Sequence, residues 1–447
     1  MIKDLTVGSP AKVLTRFTLP MLVSVMFQQL YNIADSIIAG QFLGGNALAS
    51  IGISYTLTMI YMAIANGSNI GSCVVISQFF GNKNYSKMKT CVSTALISVS
   101  ILSCVLTVLG LILSNAILKL MNTPTDLYND SITYLNIYTL GLIFLFVYNI
   151  CTGIFTALGD SKTPLIFLIF SSVFNVALDY ILVKYTSMGV SGVAWATFIA
   201  QGIACVLAFI SLLKRLNNVK TEKPKLFSIK MLKNILFVAI PSILQQSFVS
   251  VGNIFIQGLV NTFGEIVVAG FSAAGKLNTF TITTLTALGN SMSSYTAQNV
   301  GANKLDRIKN GVKSLYLISY CITIPLFILF FFFPENMMKI FVSDNNAAII
   351  FSGVKFLKTV APFYLFISIK LIIDGVLRGS GAMKMFMVST FSDLLLRVVL
   401  SYILAPIFNE QGIWYSWPAG WLLATGISCV FYFTGLWKKH INNLTQK

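Results

Sequence analysis

The sequence has few of the residues on which most enzymes depend. Its 447 residues include a single histidine, His440 in the C-terminal KKH, and only 10% are charged. The seven cysteines form no CxxC pair, and we interpret them as small apolar core residues. There is no HExxH motif, no nucleophile–base arrangement and no phosphate-binding loop. We therefore predict neither an enzyme nor an ATP-driven machine, and no bound cofactor.

The composition instead indicates an all-α integral membrane protein. Hydrophobic residues make up 56% of the chain and the mean hydropathy is +0.80, whereas soluble proteins carry about 25% charged residues. Apolar runs long enough to cross about 30 Å of hydrocarbon predict twelve transmembrane helices. These spans lie near residues 17–39, 47–78, 90–113, 131–157, 163–184, 190–213, 236–260, 268–298, 312–334, 353–377, 385–406 and 411–436.

Lysine and arginine predict the orientation of the spans. Alternate connections carry 23 of these residues on one side and five on the other. Because positive charge accumulates on the cytoplasmic side, both termini are predicted to be cytoplasmic. The chain is thus expected to be a multi-pass protein of the cell membrane. The net charge of +17 then needs no nucleic-acid partner.

The chain divides into two similar halves. A polar stretch, predicted as a cytoplasmic linker at 214–235, separates a lobe at 1–213 from a lobe at 236–447. The segment around Pro20, RFTLPMLVSVMFQQLYNI, matches FVAIPSILQQSFVSVGNI around Pro241. Both halves start from the same side after an even number of spans. Parallel repeats of this kind are typical of transporters that alternate access by rocking one half against the other.

Two carboxylates lie inside apolar spans of the first half. Asp35 follows Tyr31 by four residues, and Asp179 follows Asn175 by four. This spacing places each pair on one helix face. A charge at membrane depth costs roughly 2.5 to 3.5 kcal/mol on insertion scales, so such residues usually face a bundle interior and handle ions.

At these positions the sequence resembles the multidrug and toxic compound extrusion (MATE) family. The resemblance covers essentially the whole chain. It implies two pseudo-symmetric six-helix lobes in a V around a cleft, and export of organic, often cationic, compounds driven by inward flow of sodium ions or protons. The carrying motifs are GSPAKVLTRFTLPMLVSVMFQQLYNIADSIIAGQFLGGNALASIG, FTALGDSKTP, FNVALDYIL, GVSGVAWATFIAQ and DGVLRGSG.

The resemblance also implies a cation site in the first lobe. In the DinF-like and archaeal branches this site uses an aspartate of the first span, an asparagine and aspartate of the fifth and a threonine of the sixth. The matching residues here are Asp35, Asn175, Asp179 and Thr197, and Tyr31 matches the tyrosine before the first aspartate.

The sequence departs from the NorM-like branch of the family. That branch is characterised by a glutamate in the seventh span and an aspartate early in the tenth. The aligned positions here are near Val249 and Ile367. Asp374 lies too close to Arg378 to be the equivalent of the aspartate. A cation site in the second lobe is therefore in doubt.

The four candidate ligands in the first lobe offer oxygen atoms only, which hard cations such as sodium prefer. Two carboxylates brought together at low dielectric cannot both stay ionised without cost. Either a proton or a metal cation relieves this repulsion, so the coupling ion stays open between H⁺ and Na⁺. The alternative is a pair of structural acids, each satisfied by a neighbouring Tyr, Asn or backbone amide.

Further polar residues line the first and seventh spans. Gln28 and Asn32 extend the Tyr31–Asp35 stripe and are expected to face the lobe interior or the cleft. They could equally be interhelical hydrogen-bonding groups. Gln245 and Asn253 carry the same ambiguity. Pro20 and Pro241 lie within helices and are either tolerated there or supply bends, the bend at Pro20 responding to protonation of the first aspartate.

The second half contains intramembrane charges of its own. Lys370 and Asp374 are four residues apart, as are Asp393 and Arg397, so each pair is expected to neutralise itself. Lys370 or Asp374 could instead contact substrate in the cleft. Lys276 in the eighth span has no partner evident from the sequence, and in the cleft it would disfavour cationic cargo.

We therefore predict an antiporter that exports cationic or amphipathic drugs and toxic compounds. Its partners would be small organic substrates, a coupling cation and the lipid bilayer, and two lobes suffice for a monomer. The alternative is a flippase for lipid or polysaccharide precursors, which would often have fourteen spans. A membrane enzyme is disfavoured by the missing catalytic motifs.

Overall fold

The computed structural model describes residues 3–186, 188–342 and 346–441, without the side chains of residues 32–41, 56 and 440. Within this part the regular structure is helical, as the sequence predicted. The α-helices, in chain order, are α1 Pro10–Gly81, α2 Tyr85–Leu120, α3 Thr125–Leu140, α4 Leu142–Ala157, α5 Lys162–Tyr185, α6 Val190–Asn217, α7 Ile229–Asn261, α8 Glu265–Gly301, α9 Leu305–Phe332, α10 Pro334–Met338, α11 Ala347–Val360, α12 Tyr364–Ser380, α13 Met383–Phe408 and α14 Glu410–Phe433.

Several of the helical segments contain a break or a bend. Gly44 has φ 83° and ψ −176° and divides α1 into two limbs, because glycine has no Cβ to oppose a positive φ. Helices α3 and α4 form one span bent by 48°. A short 3-10 segment containing Pro362 joins α11 to α12, where the missing N–H of proline interrupts the helical hydrogen bonds.

The spans confirm an all-helical membrane protein. In the described residues, nine helices are long and apolar enough to cross a membrane, or ten if α3 and α4 count as one span. Helices α8 and α14 have the length of a span but are less apolar than these helices. The buried face of α8 carries many serines and threonines, and that of α14 consists largely of tryptophan, glycine, serine and proline, so both helices are less apolar. They lie at the eighth and twelfth predicted spans.

The first compact unit consists of Met1–Asp4 and Leu19–Ile243. Its interior includes a cluster of apolar side chains from α1, α3, α5 and α6, among them Tyr134 and Val193. A side chain at Gly67 would collide with Ile243, so the second limb of α1 lies directly against the beginning of α7.

The second compact unit consists of Leu5–Thr18 and Leu244–Lys447. Aromatic side chains fill much of its interior. Trp414 stacks on Phe271 with ring centroids 5.0 Å apart and meets Phe356 edge-on. A side chain at Gly375 would collide with the Gly289 carbonyl oxygen, so this pair of glycines allows α8 and α12 to pack closely.

The two units do not divide the chain at its linker. Residues 5–18 cluster with the second unit, where the Leu5 N–H donates to Gln298 Oε1 at 2.9 Å. Residues 214–243 cluster with the first, where the Lys225 N–H donates to Thr90 Oγ1 at 3.1 Å. Both transitions within helices fall beside the prolines at 20 and 241. The division into lobes at 1–213 and 236–447 with a linker at 214–235 stays a prediction about which parts of the chain move as units during transport.

Asp160, which follows the end of α4, connects α5 and α6 in the first unit. Its Oδ1 accepts the Lys162 and Thr163 N–H groups at the start of α5, each at 3.2 Å, and its Oδ2 is paired with Arg215 of α6. Burial by itself would raise the pKa of the Asp160 carboxyl. The Thr163 hydrogen bonds and Arg215 outweigh burial, so the pKa lies below its ordinary value of 3.8.

We expect Asp160→Asn to lower the stability of the purified protein at neutral pH by about 1 to 2 kcal/mol, because the ion pair with Arg215 is lost and the helix-start hydrogen bonds no longer have a charged acceptor. A carboxyl with a lowered pKa stabilises above its ordinary pKa and loses that contribution as the pH falls through the lowered value. Thermal unfolding in detergent from pH 7 to pH 3 should therefore show the two proteins converging below about pH 4. The exposed Asp126 provides the control, since Asp126→Asn should leave the curve unchanged.

Candidate functional site

Helix α5 presents its polar residues on one buried face. Its buried residues are Ser172, Asn175, Asp179 and Val183, which are three or four positions apart and therefore lie on one side of the helix. Asp179 is fully buried and Asn175 is 2% exposed. Other residues of α5, such as Val173, are exposed apolar side chains, so the carboxylate points away from the lipid-facing side.

Asn175 is the centre of a hydrogen-bonded group in the first unit. In the amide orientation that satisfies both ends, its Nδ2 donates to Asp179 Oδ2 at 3.2 Å and lies 2.6 Å from the Tyr31 hydroxyl. Its Oδ1 accepts the Thr197 N–H at 3.1 Å. One amide therefore links α1, α5 and α6, the three helices that the sequence assigned to the site.

The structure brings four of the five predicted site residues together. Tyr31, Asn175 and Asp179 are in contact through side chains, whereas Thr197 takes part through its backbone N–H. The side chains of Asp35 and Asn32 lie outside the described residues, so their predicted roles stay predictions. Asp35 follows Tyr31 by one turn of the same helix.

The remaining polar residues of the first and seventh spans are not part of this group. Gln28 and Asn253 are exposed, and Gln245 is half-buried in the second unit. Because Gln28 is exposed, it does not face the interior of a lobe; that it faces the cleft stays a prediction. Pro20 and Pro241 lie inside α1 and α7 as predicted.

The second unit contains two buried ion pairs at the predicted spacing. Lys370 Nζ lies 2.9 Å from Asp374 Oδ2, and the Ser428 hydroxyl donates to Asp374 Oδ1 at 2.8 Å. No sequence pattern pointed to Ser428, since serine is common in buried helices. Arg397 and Asp393 form the second pair. Whether Lys370 and Asp374 also contact substrate stays a prediction.

Lys276 lies in a different environment from these pairs. Its side chain is exposed, and its Nζ lies 5.6 Å from the centre of the Phe341 ring. Together with Ser272 and Asn346 it lines a cavity of about 410 Å³ in the second unit. The aromatic contact is the partner that sequence inspection did not identify.

The group around Asn175 can hold a small cation. Asp179 supplies a carboxylate and Tyr31 a hydroxyl oxygen, which suit a proton or a hard monovalent ion, whereas the Asn175 oxygen accepts the Thr197 N–H. Among the described residues, no group of three or more His, Cys, Asp or Glu side chains could hold a metal ion.

Three comparisons with known proteins point to the same family. A family model described as MatE matches residues 20–181 and 241–403, one copy in each half. The probable multidrug resistance protein YpnP of Bacillus subtilis is 27% identical over 436 residues, which is 97% of each chain. The multidrug export protein MepA of Staphylococcus aureus is 22% identical over 409 residues, covering 91% of this chain and 89% of MepA.

Solved structures share the fold over the whole chain. A MOP superfamily transporter from Pyrococcus furiosus superimposes with a TM-score of 0.90, covering 99% of this chain and 98% of its own at 22% identity. An outward-facing multidrug resistance MATE family transporter gives a TM-score of 0.89 with the same coverage and identity.

We expect Tyr31→Phe to lower stability by about 1 kcal/mol, since the Asn175 amide then loses one partner in a buried place. Thermal unfolding in detergent measures the change. Tyr55→Phe is the matched control, because the Tyr55 side chain is 54% exposed. Equal melting temperatures for Tyr31→Phe and wild type would contradict the hydrogen-bonded group described above.

Proposed function

The chain belongs to the MatE family, which consists of transporters and not enzymes, and on that premise we propose that it is a multidrug exporter driven by an inward cation gradient. The observation that carries the proposal is the buried Asp179, held by Asn175 on a helix that otherwise exposes apolar residues. A carboxylate in such a place is costly unless it has a functional partner.

In this proposal the cation acts on the hydrogen-bonded group around Asn175. The Asn175 Nδ2 interacts with both the Asp179 carboxylate and the Tyr31 hydroxyl. A proton or sodium ion that binds Asp179 would neutralise its charge and so weaken the hydrogen bond from the Asn175 amide to the carboxylate. The amide would then hydrogen-bond more strongly to the Tyr31 hydroxyl, which would change the contact between α1 and α5. Asp35, one turn beyond Tyr31, would complete the site.

The cargo is proposed to be a small organic molecule, cationic or amphipathic. The names of the relatives support a drug-like cargo, since YpnP and MepA are described as multidrug resistance and export proteins. Placement in the DinF-like branch is supported by the match of Asp35, Asn175, Asp179 and Thr197 to that branch's pattern. We also propose that Lys370 or Asp374 contacts the cargo.

We expect Asp179→Asn to reduce gradient-driven export of a cationic dye from proteoliposomes by at least about 100-fold, because the variant cannot exchange charge at this position. Sodium and proton gradients are imposed separately, which also identifies the coupling ion. The control is the exposed Asp126→Asn, which should export at the wild-type rate. Full gradient-driven export by Asp179→Asn would contradict coupling at this residue, and movement of labelled lipid in place of dye would favour a flippase.

The orientation is also a proposal, supported by the distribution of lysine and arginine. With both termini in the cytoplasm, green fluorescent protein fused after the C-terminal residue should fluoresce and alkaline phosphatase fused there should be inactive. A fusion in the α7–α8 connection, near Thr262 and Phe263, should give the opposite pattern. Active phosphatase at the C-terminus would overturn the predicted orientation.

A further inference from the structure

Helices α13 and α14 of the second unit are the structural counterparts of α5 and α6. Gly189 before α6 and Asn409 before α14 share one unusual backbone conformation, with φ 55° at both and ψ −132° and −144°. A side chain at Gly192 would meet Leu182, and a side chain at Gly412 would collide with Leu404. The sequence YIL occurs at 180–182 and again at 402–404, so the two helix pairs share one register.

This register places Arg397 where the first unit has Asn175, and Trp417 where it has Thr197. The contacts agree with the register. Asn175 accepts the Thr197 N–H at 3.1 Å, and the Arg397 guanidinium lies over the Trp417 ring, 4.4 Å from its centre. The position at the centre of the candidate ion site is therefore taken, in the second unit, by a side chain that is itself a cation.

The carboxylate that balances this cation lies one turn earlier on the same helix. Arg397 Nη2 donates to both carboxylate oxygens of Asp393 at 2.9 Å. Arg397 is 6% exposed and Asp393 is 4% exposed. At the place that corresponds to Asp179 the second unit has Ser401, which is hydrogen-bonded to Ser416 of α14 at 2.8 Å.

The packing around the pair leaves no room for a larger neighbour. A Cβ at Gly420 would lie 2.5 Å from Asp393 Oδ1 and 3.5 Å from Arg397 Cβ. With Trp417 on one face of the guanidinium and Gly420 against the carboxylate, α14 encloses the pair. Because an arginine keeps its charge at every physiological pH and cannot leave the chain, the pair cannot exchange its cation.

We propose that Arg397 is a tethered replacement for the exchangeable cation, filling the second unit's counterpart of the ion site. The second unit then remains in a cation-filled form throughout transport, and the coupling ion acts in the first unit alone. This inference rests on the proposed function for its consequence in transport, whereas the buried Arg397–Asp393 pair and its correspondence to the Asn175 position rest on the geometry of the two helix pairs.

The site can be tested by chemical replacement of the guanidinium. Arg397→Ala leaves the buried Asp393 carboxylate without its cation, and the melting temperature in detergent should fall by about 5 °C or more. Free guanidinium at 1–20 mM should restore at least half of this loss, since a ligand that binds the folded state raises stability with the logarithm of its concentration. Wild type should show no stabilisation at these concentrations.

The matched control removes both charges. Arg397→Ala combined with Asp393→Ala keeps the space but not the carboxylate, so guanidinium should not stabilise it. Sodium chloride is titrated in parallel, and stabilisation of Arg397→Ala by sodium would equally show a cation site. If neither ion stabilises Arg397→Ala more than the double variant, the inference is overturned. Arg397→Lys, which keeps a tethered charge, should melt closer to wild type than Arg397→Ala does.

A transport measurement separates this inference from the proposed function. The neutral pair Arg397→Leu with Asp393→Leu should export dye with the same ion-to-dye stoichiometry as wild type, because the exchangeable ion acts elsewhere. A lower stoichiometry in this variant would overturn the confinement of coupling to the first unit. If wild type itself shows no gradient-driven export, the proposed function fails, and the guanidinium titration still decides whether Arg397 fills a cation site.

Discussion

The fold depends on satisfying polar side chains inside helices that are solvated by lipid. Hydrocarbon offers no hydrogen bonds, so each buried polar group needs a partner within the protein. In the first unit the Asn175 amide provides this for a carboxylate, a phenol and a backbone N–H on three different helices. One hydrogen-bonded group therefore links α1, α5 and α6 around a buried acid.

The two halves solve the same constraint in different ways. The first unit places a neutral amide beside a buried acid. The second unit places a guanidinium beside a buried acid and pairs Lys370 with Asp374, which are closed arrangements with their charges already balanced. The two halves of the repeat thus satisfy a buried acid with different partners.

Glycine and proline decide where these helices approach and where they break. Gly44 separates the first two spans, which share helix α1, and Pro362 interrupts a span that is continuous in hydropathy. Gly375 lets α12 approach α8. Pro20 and Pro241 lie beside the points where α1 and α7 pass from one compact unit to the other. A proline loosens the local helical hydrogen bonding, so a change within either unit could be taken up at these positions.

The sequence by itself determined the helical membrane fold, the repeat and the pairing of charges four residues apart, because hydropathy and helical periodicity are local properties of the chain. It also identified Asn175 and Asp179 as a shared face. Only the tertiary structure decided that Thr197 contributes its backbone, that Ser428 contacts Asp374 and that Arg397 stands in the place of Asn175. These depend on which helices pack together and in what register, which no local pattern contains.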